Sequence, residues 1–246
     1  MAWLKDPEGP SHPKIGLTYK ILRKFNRALM STWFRELDIV DNENMPVDGG
    51  VMFVAWHPSG LIDPVLLHAS LPGKLSILAK HTLFDMPLLG RLFTAAGALP
   101  IYRSVDSNDL EKSRRKNAMM LENVGNEISE GGRLLLFPEG KTHAESNVHK
   151  AKTGAARIML MSLRKAEMNG KPKPNLIPVG LHYSNSQKFR ERGAVILERP
   201  MVLPDIPRNI VDSELQEQAD KEWVISVTES IESELKRASL SKTSWE

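Results

Sequence analysis

From residue 14 to 37, apolar side chains recur at helical spacing. Ile15, Tyr19, Leu22, Leu29 and Trp33 fall along one side, and Lys20, Arg23, Lys24 and Arg27 along the other. The pattern predicts a basic amphipathic helix, which can lie in a membrane interface or pack on a domain with its polar face in water. After a polar loop at 41–50 the period changes. Short apolar runs at 50–56, 75–79, 98–102, 133–137, 176–182 and 194–198 predict strands. Between them, 107–130 and 151–168 predict helices, the first stopping at Gly131-Gly132. Ser213-x-x-Gln216 reads as a capping box opening a C-terminal helix that carries Trp223, Val227, Ile231 and Leu235 at i, i+4 spacing. Strands alternating with helices predict an α/β fold: a mixed, largely parallel sheet flanked by helices, preceded by the N-terminal amphipathic helix. The expected division is an N-terminal segment, 1–47, with the basic helix, and an α/β domain, 48–246, that includes the C-terminal helix.

Composition adds limits. At 246 residues and 41% hydrophobic, the chain can bury one sizeable core. The absence of cysteine excludes disulfides and thiolate metal sites. A net charge of +3 suits an anionic surface such as phospholipid and is too weak to indicate nucleic acid. The start, with acidic residues and three prolines in MAWLKDPEGPSHPK, does not read as a signal peptide. No run approaches the ~20 apolar residues needed to span a bilayer. The expectation is therefore a cytoplasmic protein associated with the membrane only peripherally.

Four segments carry polar residues where the apolar pattern predicts strand ends. In Trp56-His57-Pro58-Ser59-Gly60-Leu61-Ile62-Asp63-Pro64, His and Asp would lie on different faces of an ideal helix. They meet only if His57 ends a strand and Pro58 and Gly60 turn the chain, with Pro64 suited to open a helix. Asp63 would then fix the imidazole tautomer, although it is equally a good N-cap. In Gly97-Ala98-Leu99-Pro100-Ile101-Tyr102-Arg103, a glycine-led strand delivers a guanidinium, whose fork suits a phosphate. In Phe137-Pro138-Glu139-Gly140-Lys141-Thr142, the Gly-Lys-Thr run is not a P-loop: the required upstream glycine is Leu135 and Pro138 lacks an amide. Leu176-Ile177-Pro178-Val179-Gly180-Leu181-His182 is an apolar strand whose proline suggests an edge or an irregularity, and His182 reads as structural. Zinc ligation by His57, Asp63, His68 and His81 finds no H-E-x-x-H support. The chain also lacks the G-x-S-x-G elbow of serine hydrolases.

Taken in order, these four segments resemble the glycerophospholipid acyltransferase family, which includes lysophosphatidate and glycerol-3-phosphate acyltransferases. The resemblance covers roughly 48–200, with Ala79-Lys80, Leu83-Phe84, Pro87 and Gly90 similar to the family's linker between the first two motifs. It implies direct acyl transfer from a thioester on CoA or acyl carrier protein to the hydroxyl of a glycerol-phosphate acceptor. On that resemblance His57 is the general base and Asp63 its partner. Gly97 and Arg103 help hold the acceptor's phosphate, and Glu139 and Gly140 belong to the acceptor pocket. Pro178 lies on a strand associated with the acyl donor. No metal or bound cofactor is implied.

Two departures stand out. Five residues separate His57 from Asp63, against the commoner four, and Trp56 precedes the histidine. This form resembles the glycerol-3-phosphate and dihydroxyacetone-phosphate branch. Where the family usually continues T-R-S after the third motif, this chain has Lys141-Thr142-His143, so Lys141 is expected to supply the missing charge. The competing expectation is a non-catalytic lipid- or acyl-chain-binding protein on the same fold.

Overall fold

A computed structural model describes residues 3–6, 15–102, 109–140, 148–185, 188–208 and 212–240. Seven strands form one sheet: β1 (Phe34–Val40), β2 (Val51–Ala55), β3 (Leu75–Lys80), β4 (Ala98–Ile101), β5 (Arg133–Leu136), β6 (Asn175–Tyr183) and β7 (Glu191–Leu197). Their order is β1-β7-β6-β2-β5-β3-β4. Every neighbouring pair is parallel except β6 with β7. This is the mixed, largely parallel sheet the sequence predicts. β2 lies between β5 and β6, and all five of its side chains are buried, which is why it reads as an unbroken apolar run.

The helices are α1 (Leu17–Trp33), α2 (Ile62–Ser70), α3 (Leu89–Ala95), α4 (Leu110–Ser129), α5 (Gly154–Met168) and α6 (Ser213–Leu240). α4 packs on α5, α5 on α6, and α6 on β6, where Trp223, Val227, Ile231 and Leu235 are buried as their spacing predicts. α3 has no counterpart among the predicted elements. Among the described residues no helix is long and apolar enough to cross a membrane.

Three local expectations are corrected. The predicted helix 14–37 ends at Trp33, and Phe34 begins β1, whose parallel partner is β7. Phe34 and Leu37 bury against the core there, a gain larger than the weak helix preference of the segment. The α6 cap lies one residue before Ser213: Asp212 Oδ1 accepts from the amides of Glu214 at 2.8 Å and Leu215 at 3.3 Å. Pro178 is on an interior strand, paired with Val54. It sits at the end of the β6–β7 ladder, one residue before the Val179–Leu197 pair, so its missing amide forgoes only a terminal bond; the Pro178 carbonyl still accepts from the Glu198 amide at 3.0 Å.

The buried face of α1 also differs from the predicted one. Tyr19, Arg23, Asn26 and Met30 point inward. Arg23 is held by Asp6, by the Gly73 carbonyl and by the Tyr19 hydroxyl, partners that engage both terminal nitrogens of the buried guanidinium. Leu17, Ile21, Phe25 and Leu29 are instead 74%, 62%, 61% and 42% exposed, leaving an apolar stripe on the outside of the molecule.

Candidate active site

β2 ends at Ala55, and the chain turns through Pro58 and Gly60 into α2. That turn brings His57 and Asp63 together: His57 Nδ1 lies 2.7 Å from Asp63 Oδ2. Helix α2 starts at Ile62, with Leu61 in the cap position, so Asp63 is neither the N-cap nor followed by a first-position proline. Its carboxylate turns back toward the preceding loop instead. The Ser59 amide donates to Oδ2 at 2.7 Å, and the Tyr183 hydroxyl donates to Oδ1 at 2.7 Å. Asp63 is fully buried, a position an anion holds only when donors surround it.

With Nδ1 facing the carboxylate, His57 carries its proton there and leaves Nε2 as an acceptor. The ring stacks on Phe137, centroids 4.1 Å apart and planes 16° apart, which fixes its rotation. Tyr183, at the end of β6, stacks on Phe34 with centroids 5.7 Å apart. Burial first, and the Asp63 charge second, push its phenol well above the ordinary value, so it stays a donor.

His57 lines a cavity of about 490 Å³. Its walls are mostly apolar, including Leu61 and Val65 of α2, Leu83, Phe93 of α3 and Ile158 of α5. Lys80 and Lys152 are cations in the lining, and Pro138 and Gly140 continue the wall beyond Phe137. Gly140 has φ +70°, and a Cβ there would meet Lys152 Nζ at 2.8 Å, so glycine lets the lysine lie across the loop. The Lys152 amide donates to the Pro138 carbonyl at 2.8 Å, tying the two segments together. No hydrogen bond or ion pair holds the Lys152 ammonium among the described residues, which leaves it available to an anion. Glu139, 3% exposed, is buried behind this loop.

His57 and Gly140 therefore share the cavity wall, with Asp63 bonded to His57 behind it; Glu139 is buried and is not part of the lining. Arg103 and Lys141 lie outside the described residues. β4 can be followed to Tyr102, which is pinned by Asn117 through bonds of 2.9 Å and 2.6 Å. Gly97 stands apart, at the amino end of β4, where φ is +80° and a Cβ would lie 2.6 Å from the Leu75 carbonyl oxygen. Its requirement is conformational and its distance from His57 is set by the length of the strand. Pro178 lies within the sheet and is not on the cavity wall. His182 bonds the Ala238 carbonyl at 2.8 Å, as a structural histidine does. His68 is buried beside Asn26, and His81 stacks on Tyr102, so the histidines weighed as metal ligands have separate surroundings.

Sequence reasoning missed Tyr183, Phe137 and Lys152. The signal for Tyr183 was a tyrosine closing an apolar strand, since a buried hydroxyl needs a partner.

The described site is a carboxylate-oriented histidine facing a mostly apolar cavity that Lys80 and Lys152 also line. A family model described as Acyltransferase matches residues 36–182, more than half of the chain, and the chain belongs to that family. Among solved structures it is similar to the 1-acyl-sn-glycerophosphate (LPA) acyltransferase PlsC from Thermotoga maritima, with a TM-score of 0.52. The identity is 18%, over 87% of this chain and 79% of that one, a likeness of fold. Curated proteins give no sequence match.

Proposed function

We propose that this acyltransferase moves a fatty acyl group from an acyl thioester, on CoA or acyl carrier protein, to a hydroxyl of a glycerol-phosphate acceptor. The acceptor is 1-acylglycerol-3-phosphate, as for the similar PlsC, or glycerol-3-phosphate, as the His57–Asp63 spacing suggests. The observation that carries this reading is the 2.7 Å His57–Asp63 contact at the wall of a mostly apolar cavity.

His57 Nε2 takes the proton of the acceptor hydroxyl as its oxygen attacks the thioester carbonyl carbon. The imidazolium so formed faces the Asp63 carboxylate, which Ser59 and Tyr183 hold in place. When the tetrahedral intermediate collapses, the carbon–sulfur bond breaks, and the thiol leaves with the proton returned by His57. The ester oxygen keeps the acyl group. Lys152, with Gly140 giving it room, contacts the acceptor's phosphate, aided by Arg103 and Lys141 on the strength of the motif resemblance. Glu139 shapes the loop between them. The exposed stripe of α1, with Lys20 and Lys24 beside it, rests on the membrane that carries a lipid acceptor or receives a lipid product.

The test is to incubate the purified protein and phospholipid vesicles with labelled palmitoyl-CoA or palmitoyl-acyl carrier protein and each acceptor in turn. Labelled phosphatidate or lysophosphatidate is the expected product, and it names the acceptor. Failure to form either, with both donors, would overturn the reading.

A further inference from the structure

The cavity runs along β3 and β4, from Lys80 and Ile101 near the reactive end to Ile77 and Ala98 at the amino end of both strands. Three strand residues separate those ends, about 10 Å. Leu61, Val65 and His68 mark the same course along one face of α2. At the inner end the lining ceases to be apolar, because Asn26 of α1 and His68 face it.

His68 is 1% exposed and Asn26 8%. Asn26 Nδ2 donates to His68 Nδ1 at 3.0 Å, which places the imidazole proton on Nε2. That Nε2 is buried and has no hydrogen-bond partner. The ring is held beside Tyr19, centroids 4.7 Å apart, at the end of the molecule where Tyr19 approaches Gly97. Burial, then the charges of Arg23 and Arg27, push the His68 imidazole down to about 4, so it is neutral near pH 7. The inner end thus holds one unpaired donor, on a histidine that lines the cavity, and a buried polar group left unpaired costs roughly 1–3 kcal/mol. A plain hydrocarbon chain reaching this point leaves that donor unpaired. An alcohol oxygen accepts from it.

Resting on the acyl-transfer reading above, we propose that Asn26 and His68 form a polar subsite at the inner end of the acyl cavity, which takes a hydroxyl carried part-way along a fatty acyl chain. The protein thereby prefers hydroxylated acyl chains to plain ones of equal length.

Two measurements test this. In the first, stearoyl-CoA and its mid-chain hydroxylated counterpart compete at equal concentration for transfer. In the second, calorimetry gives the affinities of stearate and mid-chain hydroxystearate for the same protein. Wild type is expected to favour the hydroxylated ligand about tenfold in both, the effect of one well-made buried hydrogen bond. His68→Leu should lose or reverse that preference, and Asn26→Leu should reduce it. Equal affinity of wild type for the two fatty acids, a result that needs no variant to fold, overturns the subsite, as does an undiminished preference in a folded His68→Leu protein. A binding preference without transfer of either ester would sink the acyl-transfer reading and leave the subsite standing; transfer without preference would do the reverse.

Discussion

Asp63 receives donors from three directions: the loop before α2, His57 at the end of β2, and Tyr183 at the end of β6. The first two come from the same short segment, so their meeting was legible once Pro58 and Gly60 were read as a turn. Tyr183 is 120 residues away in sequence, and only the pairing of β2 with β6 brings it near. Lys152 escaped notice for the same reason, since its approach to Gly140 is not visible from sequence order. If the tyrosine positions the dyad, Tyr183→Phe should lower kcat about tenfold or more with KM little changed, because a hydrogen bond to a charged group contributes roughly 1.5–3 kcal/mol. Phenylalanine retains the ring that stacks on Phe34, so the fold should survive. Steady-state kinetics decide it; an unchanged kcat would make Tyr183 a packing residue only.

At the scale of elements, α1 shows what helical spacing can and cannot say. The period was clear, yet two faces of the helix carry apolar residues, and nothing local chooses between them. The choice is made by distant groups, since Asp6 and the Gly73 carbonyl draw Arg23 inward and leave Leu17, Ile21 and Phe25 outside. The strand β1 was hidden for a related reason. No glycine or proline marks the boundary at Trp33-Phe34, so the helical pattern in the sequence runs on, and the register with β7 ends the helix. A solvent-facing stripe of this kind contributes little to folding. Ile21→Glu with Phe25→Glu should therefore leave the unfolding midpoint almost unchanged while greatly reducing sedimentation with anionic phospholipid vesicles. Undiminished vesicle binding by the double variant would remove α1 from the membrane contact.

For the whole molecule, alternating apolar runs and helical periods were enough to predict a mixed, largely parallel α/β sheet. Strand order was not, because each parallel pairing joins segments separated by a crossover. The cavity was equally hidden: its walls come from α2, α3, α5 and the β3–β4 face, and no contiguous segment encodes it. What the assembled fold adds is a direction, with His57 at one end and Asn26 and His68 at the other. Membership in the acyltransferase family supports acyl transfer, and the proposed mechanism makes His57 the proton acceptor. The most direct measurement is a single-turnover comparison of wild type and His57→Ala, following label from palmitoyl-CoA into lipid on vesicles that carry the acceptor. The account predicts a rate loss of about a hundred- to ten-thousandfold in the variant, with its unfolding profile preserved. A His57→Ala protein that transfers the acyl group at the wild-type rate would contradict it.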